Sequence, residues 1–292
     1  MRRLLLIAGL LALLVSAGRA QTPSISVLDL GSARFAQETT ERLRERLNST
    51  DEFKVADADL SRAASKGIGY SGSLNLSVSE ARDLGAALAT DFYIIGDAQT
   101  LRRSSFARPV YYESYCSVFL VNARTGELLF WDRPSLQSDK ADETEDRLWA
   151  EIAKAKTLER ISLAIRQAQY AKRARLEQAV AVSAEPLIEQ APEDDEAAEA
   201  RGVRLPRPYS RLRPEYPETA ARAEAEGTVD VLVDVRADGE VGDVRVARWA
   251  GFGLDETTVA TVRKMHFFPA MKNGTAIAMR VLLRYNFRKP PR

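Results

Sequence analysis

The sequence predicts an α+β fold in two domains, and three observations carry that reading. Apolar periodicity alternates between strand-like and helix-like segments from Ser24 to about Gln169, which predicts an α/β domain with a mixed sheet and packed helices. The pattern stops across an acidic, proline-punctuated stretch between about Ser183 and Pro208. It resumes as two-residue alternation interrupted by a helical period, which predicts an antiparallel three-stranded sheet with two helices. A chain of 292 residues is long enough for two such cores. The expected organisation is a leader over 1–20, a first domain over 21–170, a helical extension and disordered linker over 171–208, and a second domain over 209–292.

In the first domain, Ile25-Ser26-Val27-Leu28 reads as a short strand. Thr39 to Leu47 places Leu43 and Leu47 one turn apart on a helix, and Phe53-Lys54-Val55 follows the break at Asn48 to Asp51 as a strand. Ser77 and Glu80 have the spacing of a capping box, in which each side chain satisfies a backbone donor at a helix start; that helix buries Ala81, Leu84 and Leu88. Phe92-Tyr93-Ile94-Ile95 reads as a buried strand, and Val110 to Val121 as a longer one with Tyr111, Tyr115, Phe119 and Val121 on one face. A turn over Asn122 to Glu127, with Gly126 free to take positive φ, leads into the return strand Leu128 to Trp131. Leu148, Ile152, Ile161 and Ile165 then recur near helical spacing on a helix that begins near Thr144 and closes the domain.

Between the domains too little apolar surface is present to repay chain ordering, so this stretch is expected to stay open and protease-sensitive while the domains fold separately. Beyond it, Arg213-Pro214-Glu215-Tyr216-Pro217 leads into a short helix over Glu218 to Glu226 that Gly227 ends. Val229, Val231, Val233 and Val235 share one face of the next strand, and Asp230 and Asp234 the other. Ala237 to Glu240 supplies a hairpin turn, and Val244 and Val246 lie on the return strand. Leu254, Val259, Val262 and Met265 recur at helical spacing, with Asp255 and Glu256 near the positive helix end. The last strand places Ile277, Met279, Val281, Leu283, Tyr285 and Phe287 on one side, with Arg280 and Arg284 on the other.

Composition excludes more than it suggests. The 42 basic and 41 acidic side chains leave no net field to draw nucleic acid or lipid. The single cysteine, Cys116, cannot form an internal disulfide, and the single histidine, His266, leaves almost nothing for zinc ligation or a Ser-His-Asp relay. With no paired acid and base, relay or ligand cluster, neither catalysis nor a cofactor is expected. Gly67-Ile68-Gly69-Tyr70-Ser71-Gly72 satisfies G-x-G-x-x-G, but helix-like Leu60 to Lys66 precedes it and a polar loop follows, so it reads as a surface loop and not a dinucleotide site. Cys116 alternates with Tyr115 and Ser117 inside a strand, as a small core residue does. The run Glu193 to Glu196 lacks a glycine-turned ligand loop and reads as solvated.

The amino terminus has the order of a secretory signal: positive Met1-Arg2-Arg3, apolar Leu4 to Ala17, then small residues in Gly18-Arg19-Ala20. About 14 apolar residues rising ~1.5 Å each cover only about 21 Å of a hydrocarbon core near 30 Å, which favours cleavage before Gln21 over anchoring. No cysteine follows for lipid attachment.

The C-terminal motifs resemble the TonB C-terminal family: Pro-x-Tyr-Pro at Pro214 to Pro217, Glu226-Gly227-Thr228-Val229, Ala237-Asp238-Gly239, Leu254-Asp255, Phe267-Phe268-Pro269-Ala270 and Asn273-Gly274, in order through about Phe287. Met265 departs from the family, standing where tryptophan is common, and methionine can fill the same gap. The resemblance implies capture of an extended receptor segment as an added strand beside the last strand, without catalysis. Carried over by position, the candidate partner-binding residues are Tyr216 and Pro217 in the opening segment, and Arg280, Val281, Leu282, Leu283, Arg284, Tyr285, Asn286 and Phe287 on the edge. Tyr216 and Pro217 can equally fix the chain's entry into the domain, and Arg280 and Arg284 can equally discourage unwanted edge pairing. The first domain, over Ile25 to Gln169, is similar in the order of its pieces to the amino-terminal domain of TolB and to envelope domains of the curli-secretion and penicillin-binding-protein activator families. That similarity implies docking onto envelope components.

The expectation is thus a periplasmic adaptor that binds extended segments of outer-membrane receptors or other envelope proteins, with no nucleic acid partner. An uncleaved amino terminus would instead place it in the inner membrane, as a TonB-type energy transducer coupled to motor proteins. A non-catalytic envelope scaffold is the third reading. Alternate backbone N–H groups of the last strand face outward, so Leu282→Pro and Leu283→Pro should separate binding from folding, but alternation alone does not say which does which.

Overall fold

The computed structural model describes residues 22–154, 156–179 and 188–289; the expected leader and its cleavage point lie outside the described residues. The amino-terminal half runs β1 (Ser24–Val27), α1 (Arg34–Asn48), β2 (Lys54–Val55), α2 (Ala58–Gly67), α3 (Val78–Leu88), β3 (Phe92–Arg103), β4 (Tyr111–Asn122), β5 (Leu128–Asp132), β6 (Ser135–Ser138), α4 (Ala141–Ala153) and α5 (Lys156–Ala179). Its sheet has the order β2-β1-β3-β4-β5, with β6 also on β4. β1 pairs with β2 and β3 in parallel and the rest is antiparallel, so the sheet is mixed, as expected. The capping box forms at α3: Ser77 N–H donates to Glu80 Oε2 (2.7 Å), and Glu80 N–H donates to Ser77 Oγ (3.1 Å). The single closing helix of the sequence reading is two, because α4 ends at a cap on Lys154.

This sheet is buried on both faces. On one, Ile25, Val27, Ile94, Val118 and Leu120 pack with Leu43, Leu148, Ile161 and Ile165 from α1, α4 and α5. On the other, Tyr93, Ile95, Phe119 and Val121 pack with Ala81 and Leu84 of α3 and with Trp249 from the opposite end of the chain.

The carboxy-terminal half runs β7 (Glu189–Gln190), α6 (Asp195–Ala200), β8 (Val203–Arg204), β9 (Arg207–Pro208), α7 (Glu218–Ala223), β10 (Gly227–Val235), β11 (Val241–Arg248), α8 (Leu254–Val262), β12 (Phe267–Phe268), β13 (Ala270–Lys272), β14 (Thr275–Ile277) and β15 (Met279–Phe287). The three expected antiparallel strands are β11, β10 and β15, and α7 and α8 are the expected helices. α7 stops three residues earlier than read, because Glu224 takes a left-handed φ of 51° and Gly227 instead opens β10.

The acidic stretch departs from the sequence reading. Where an open linker was expected up to residue 208, its described part pairs with strands of the carboxy-terminal half. β7 joins β15 in parallel as a fourth strand, β8 pairs with β13, and β9 pairs with β12. Backbone pairing needs no apolar run, and the few small apolar residues present suffice for a satellite cluster of Ala198, Val203, Ala270 and Met279. Asp194, read as part of a solvated acidic run, caps α6 by accepting from Ala197 N–H (2.7 Å), and Glu189 pairs with Lys272 Nζ (3.0 Å).

The two halves also pack directly. Trp249 Nε1 donates to Gly126 O (3.1 Å), and its ring stacks on Phe119 with centroids 6.0 Å apart. Phe252 meets Phe119 edge-on at 5.4 Å, and a Cβ at Gly251 would overlap the Phe119 ring. Asn75 Nδ2 donates to Thr228 O (2.8 Å) and Trp249 O (2.7 Å), while its Oδ1 accepts from Thr228 N–H (3.0 Å).

Candidate functional site

The C-terminal sheet sorts its residues by face, as a half-buried antiparallel sheet requires. Val229, Val231, Val233 and Val235 are buried with Leu254, Val262, Met265 and Phe267 on the inner face. On the outer face, Asp230 and Asp234 lie directly opposite Arg284 and Arg280 in the β10–β15 register. Each aspartate is nearly buried and accepts two hydrogen bonds from its arginine: Arg284 Nε and Nη2 at 2.7 and 2.9 Å, and likewise Arg280 on Asp234. These bonds hold both guanidiniums above their ordinary pKa. Arg280 and Arg284 are therefore tied to β10 and are not free forks on the edge. Between them Leu282 is 53% exposed.

The edge itself is set by backbone geometry. β15 pairs with β10 from Met279 to Phe287 without a register shift, while on its other side β7 covers only Met279 and Arg280. Past Arg280 no described strand lies beside it. Ala191 N–H donates to Arg280 O (2.8 Å), so the Arg280 backbone faces the open side. Because N–H and C=O of one residue point the same way and alternate along a strand, Leu282, Arg284 and Asn286 also present their backbone groups outward. Val281, Leu283 and Tyr285 turn theirs toward β10. The far end agrees: Thr228, opposite Asn286, directs both of its backbone groups to Asn75 and hence away from β15.

The other sequence-derived residues have packing duties. Tyr216 donates its hydroxyl to Ala225 O (2.7 Å), and its ring centroid lies 6.4 Å from that of Phe287, at the end of the edge. Burial raises the Tyr216 hydroxyl pKa. Pro217 caps α7 and lies against Gly253, on the helix side. Phe287 is buried, Val281 and Leu283 are half-buried on the inner face, and the Tyr285 hydroxyl donates to Met265 Sδ at 3.5 Å. Met265 is itself buried, so methionine does fill the gap at that position. The Asn286 side chain bonds Thr228 Oγ1 (2.9 Å).

Sequence reasoning missed β7, whose exposed Glu189 and Gln190 carry no periodic signal. It also missed Asn75 and Trp249, which anchor the opposite edge; a tryptophan just past an alternating strand was the one available hint. His266 Nδ1 lies 2.9 Å from Glu240 Oε1, and no group of three or more His, Cys, Asp or Glu among the described residues could hold a metal ion. Cys116 is buried in β4, and burial pushes its thiol up to about 12. The Gly67 to Gly72 segment follows a helix, not a strand.

Comparison with a family model bears on this same half of the chain. Residues 213–288 match the family model described as the Gram-negative bacterial TonB protein C-terminal. Protein TonB of Klebsiella pneumoniae is 30% identical over 81 residues, covering 28% of this chain and 33% of that protein, so the match spans about a third of the relative's length. The solution structure of the Pseudomonas aeruginosa TonB C-terminal domain is 25% identical, covering 30% of this chain and 89% of that one, with a TM-score of 0.26. The C-terminal domain of LpoB from Salmonella enterica is 18% identical, covering 42% of this chain and 87% of that one, with a TM-score of 0.29. Residues 213–288, which build the β11-β10-β15 sheet and its helices, thus form a domain of the TonB C-terminal family.

Proposed function

We propose that this protein is a non-catalytic cell-envelope adaptor, periplasmic after loss of its leader, that captures an extended segment of an outer-membrane receptor or other envelope protein as a strand beside β15. The observation that carries the reading is the outward backbone of Leu282, Arg284 and Asn286 along an edge that β7 leaves uncovered. A strand added there gains hydrogen bonds from groups that need no particular side chain, and the half-buried row Val281, Leu283 and Tyr285 gives its side chains an apolar surface to follow. Arg280 and Arg284 act by locking β15 to β10, which keeps the edge straight. No helix among the described residues is long and apolar enough to cross a membrane, and force transmission would need an anchor outside them.

Backbone direction now separates the two proline variants. Leu283→Pro deletes an inward donor to β10 and should destabilise the domain by about 3 kcal/mol. Leu282→Pro deletes an outward donor and should leave folding nearly intact while weakening a partner segment, identified by cross-linking in intact cells, about tenfold or more. Circular dichroism reads the first effect and calorimetry the second. Parent-like affinity in a folded Leu282→Pro variant would mean that partners do not add to this edge.

A further inference from the structure

The hairpin joining β3 to β4 leaves β1 behind and carries an exposed tip. β1 pairs with β3 only from Phe92 to Ile94, the next backbone bond on that side is Ala98 N–H to Leu30 O, and β6 pairs with β4 no further out than Tyr112. β6 thus follows β4 to within one residue of its end, Arg103 opposite Tyr111 is the last pair, and Ser105 N–H bonded to Arg108 O (2.8 Å) closes the tip. Phe106 stands fully exposed at that tip, with Val110 exposed beside it. A large aromatic left in water at a hairpin tip contributes nothing to the fold.

The charge around it is one-sided. Leu101 to Tyr112 contains Arg102, Arg103 and Arg108 and no acidic residue. Arg108 lies over the Tyr111 ring at 4.4 Å and donates to Gln137, Arg103 reaches Glu113 at 3.0 Å, and Arg102 makes no ion pair among the described residues. The balanced charge of the whole chain therefore hides a local basic patch around an apolar point.

We infer that this tip is a lipid-surface anchor, in which Phe106 and Val110 enter the apolar boundary of a bilayer and the surrounding arginines meet anionic headgroup phosphates. Size decides between a bilayer and a protein. A stable protein interface needs about 800 Å² per partner, more than an exposed turn of a few residues offers, whereas a bilayer admits a wedge without prior complementarity. Tyr111 and Tyr112 at the base of the tip have the amphipathic rings that suit headgroup depth.

The test uses the full chain with vesicles of phosphatidylethanolamine and phosphatidylglycerol, and with phosphatidylcholine vesicles as the neutral control. The local readout is the difference in emission between a Phe106→Trp variant and the parent, whose three native tryptophans supply the background; it is expected to shift to the blue on the anionic vesicles and to revert with added salt. Co-sedimentation should weaken about tenfold or more in Phe106→Ser and about fivefold in Arg102→Ala, with circular dichroism unchanged because neither side chain packs in the core. An unshifted Phe106→Trp emission, or Phe106→Ser sedimenting as well as the parent, overturns the inference. So does a photo-crosslinker at position 106 that captures an envelope protein and no lipid.

Discussion

The C-terminal sheet has two edges, and the molecule covers one end of each by different means. At the β11 edge, Ser77 bridges Arg248, Trp249 N–H donates to Leu76 O (3.1 Å), Asn75 takes up three backbone groups, and the Trp249 indole is buried in the amino-terminal core. At the β15 edge, β7 covers two residues with the exposed side chains of Glu189 and Gln190 and then leaves the strand. Closing an edge takes both an apolar anchor and polar atoms placed to satisfy orphan backbone groups. Backbone pairing without an anchor holds only a short length, and the remainder of β15 keeps its hydrogen-bonding capacity for something else.

The largest effect that would break this contrast is Trp249→Ala. Its side chain is 1% exposed, so truncation should cost about 3–5 kcal/mol in urea denaturation through the cavity left against Phe119. A loss below ~1 kcal/mol would mean that this side chain does not anchor the end of β11. Asn75→Ala comes next. It orphans the N–H and C=O of Thr228 and the C=O of Trp249, for an expected cost of about 1–3 kcal/mol and faster amide exchange at Thr228, with exchange along β15 unchanged. Equal acceleration at both edges would erase the distinction between them.

The smallest effect concerns Asp255, which holds the loop carrying Trp249 by accepting from Ala250 N–H and Gly251 N–H at 2.8 Å each. Burial pushes its carboxyl up to about 7 against the pull of those two donors, and neighbouring Glu256 adds to the rise. Its unfolded value is near 3.8, so between the two values the folded protein keeps a proton that the unfolded chain has lost. This contribution is fully present below the unfolded value, declines as pH rises through the window, and is gone above about 7. Denaturation of the parent and of Asp255→Asn at pH 5 and pH 8 should show that the variant loses less stability than the parent on going to pH 8. A parent whose stability relative to the variant stays unchanged over that interval would show that the two N–H bonds keep Asp255 ionised throughout.

Local patterns were legible wherever one segment contains its own signal. Ser77 and Glu80 announce a capping box, the odd-numbered valines from Val229 to Val235 announce one buried face, and Gly239 announces a hairpin turn at φ 86°. The β15 alternation was read correctly from Met279 on, with Met279 and Phe287 inside and Leu282 outside, whereas Ile277 lies on β14 and not on the last strand. Illegible were contacts whose two sides lie far apart in the chain and whose residue types are common, such as Asn75 with Thr228, or Glu189 and Gln190 with Met279 and Arg280.

By itself the sequence determined the elements, their faces and the membership of the last domain, because periodicity, capping and turn chemistry act over a few residues. Only the tertiary structure decided what covers the end of each edge of the last sheet. Edge strands look alike in sequence, each a row of alternating residues with identical backbone groups, and what closes one is brought from elsewhere in the chain. The structure also decided the direction of each backbone group on β15, since two-residue alternation has two phases and a single contact, Ala191 N–H to Arg280 O, selects between them.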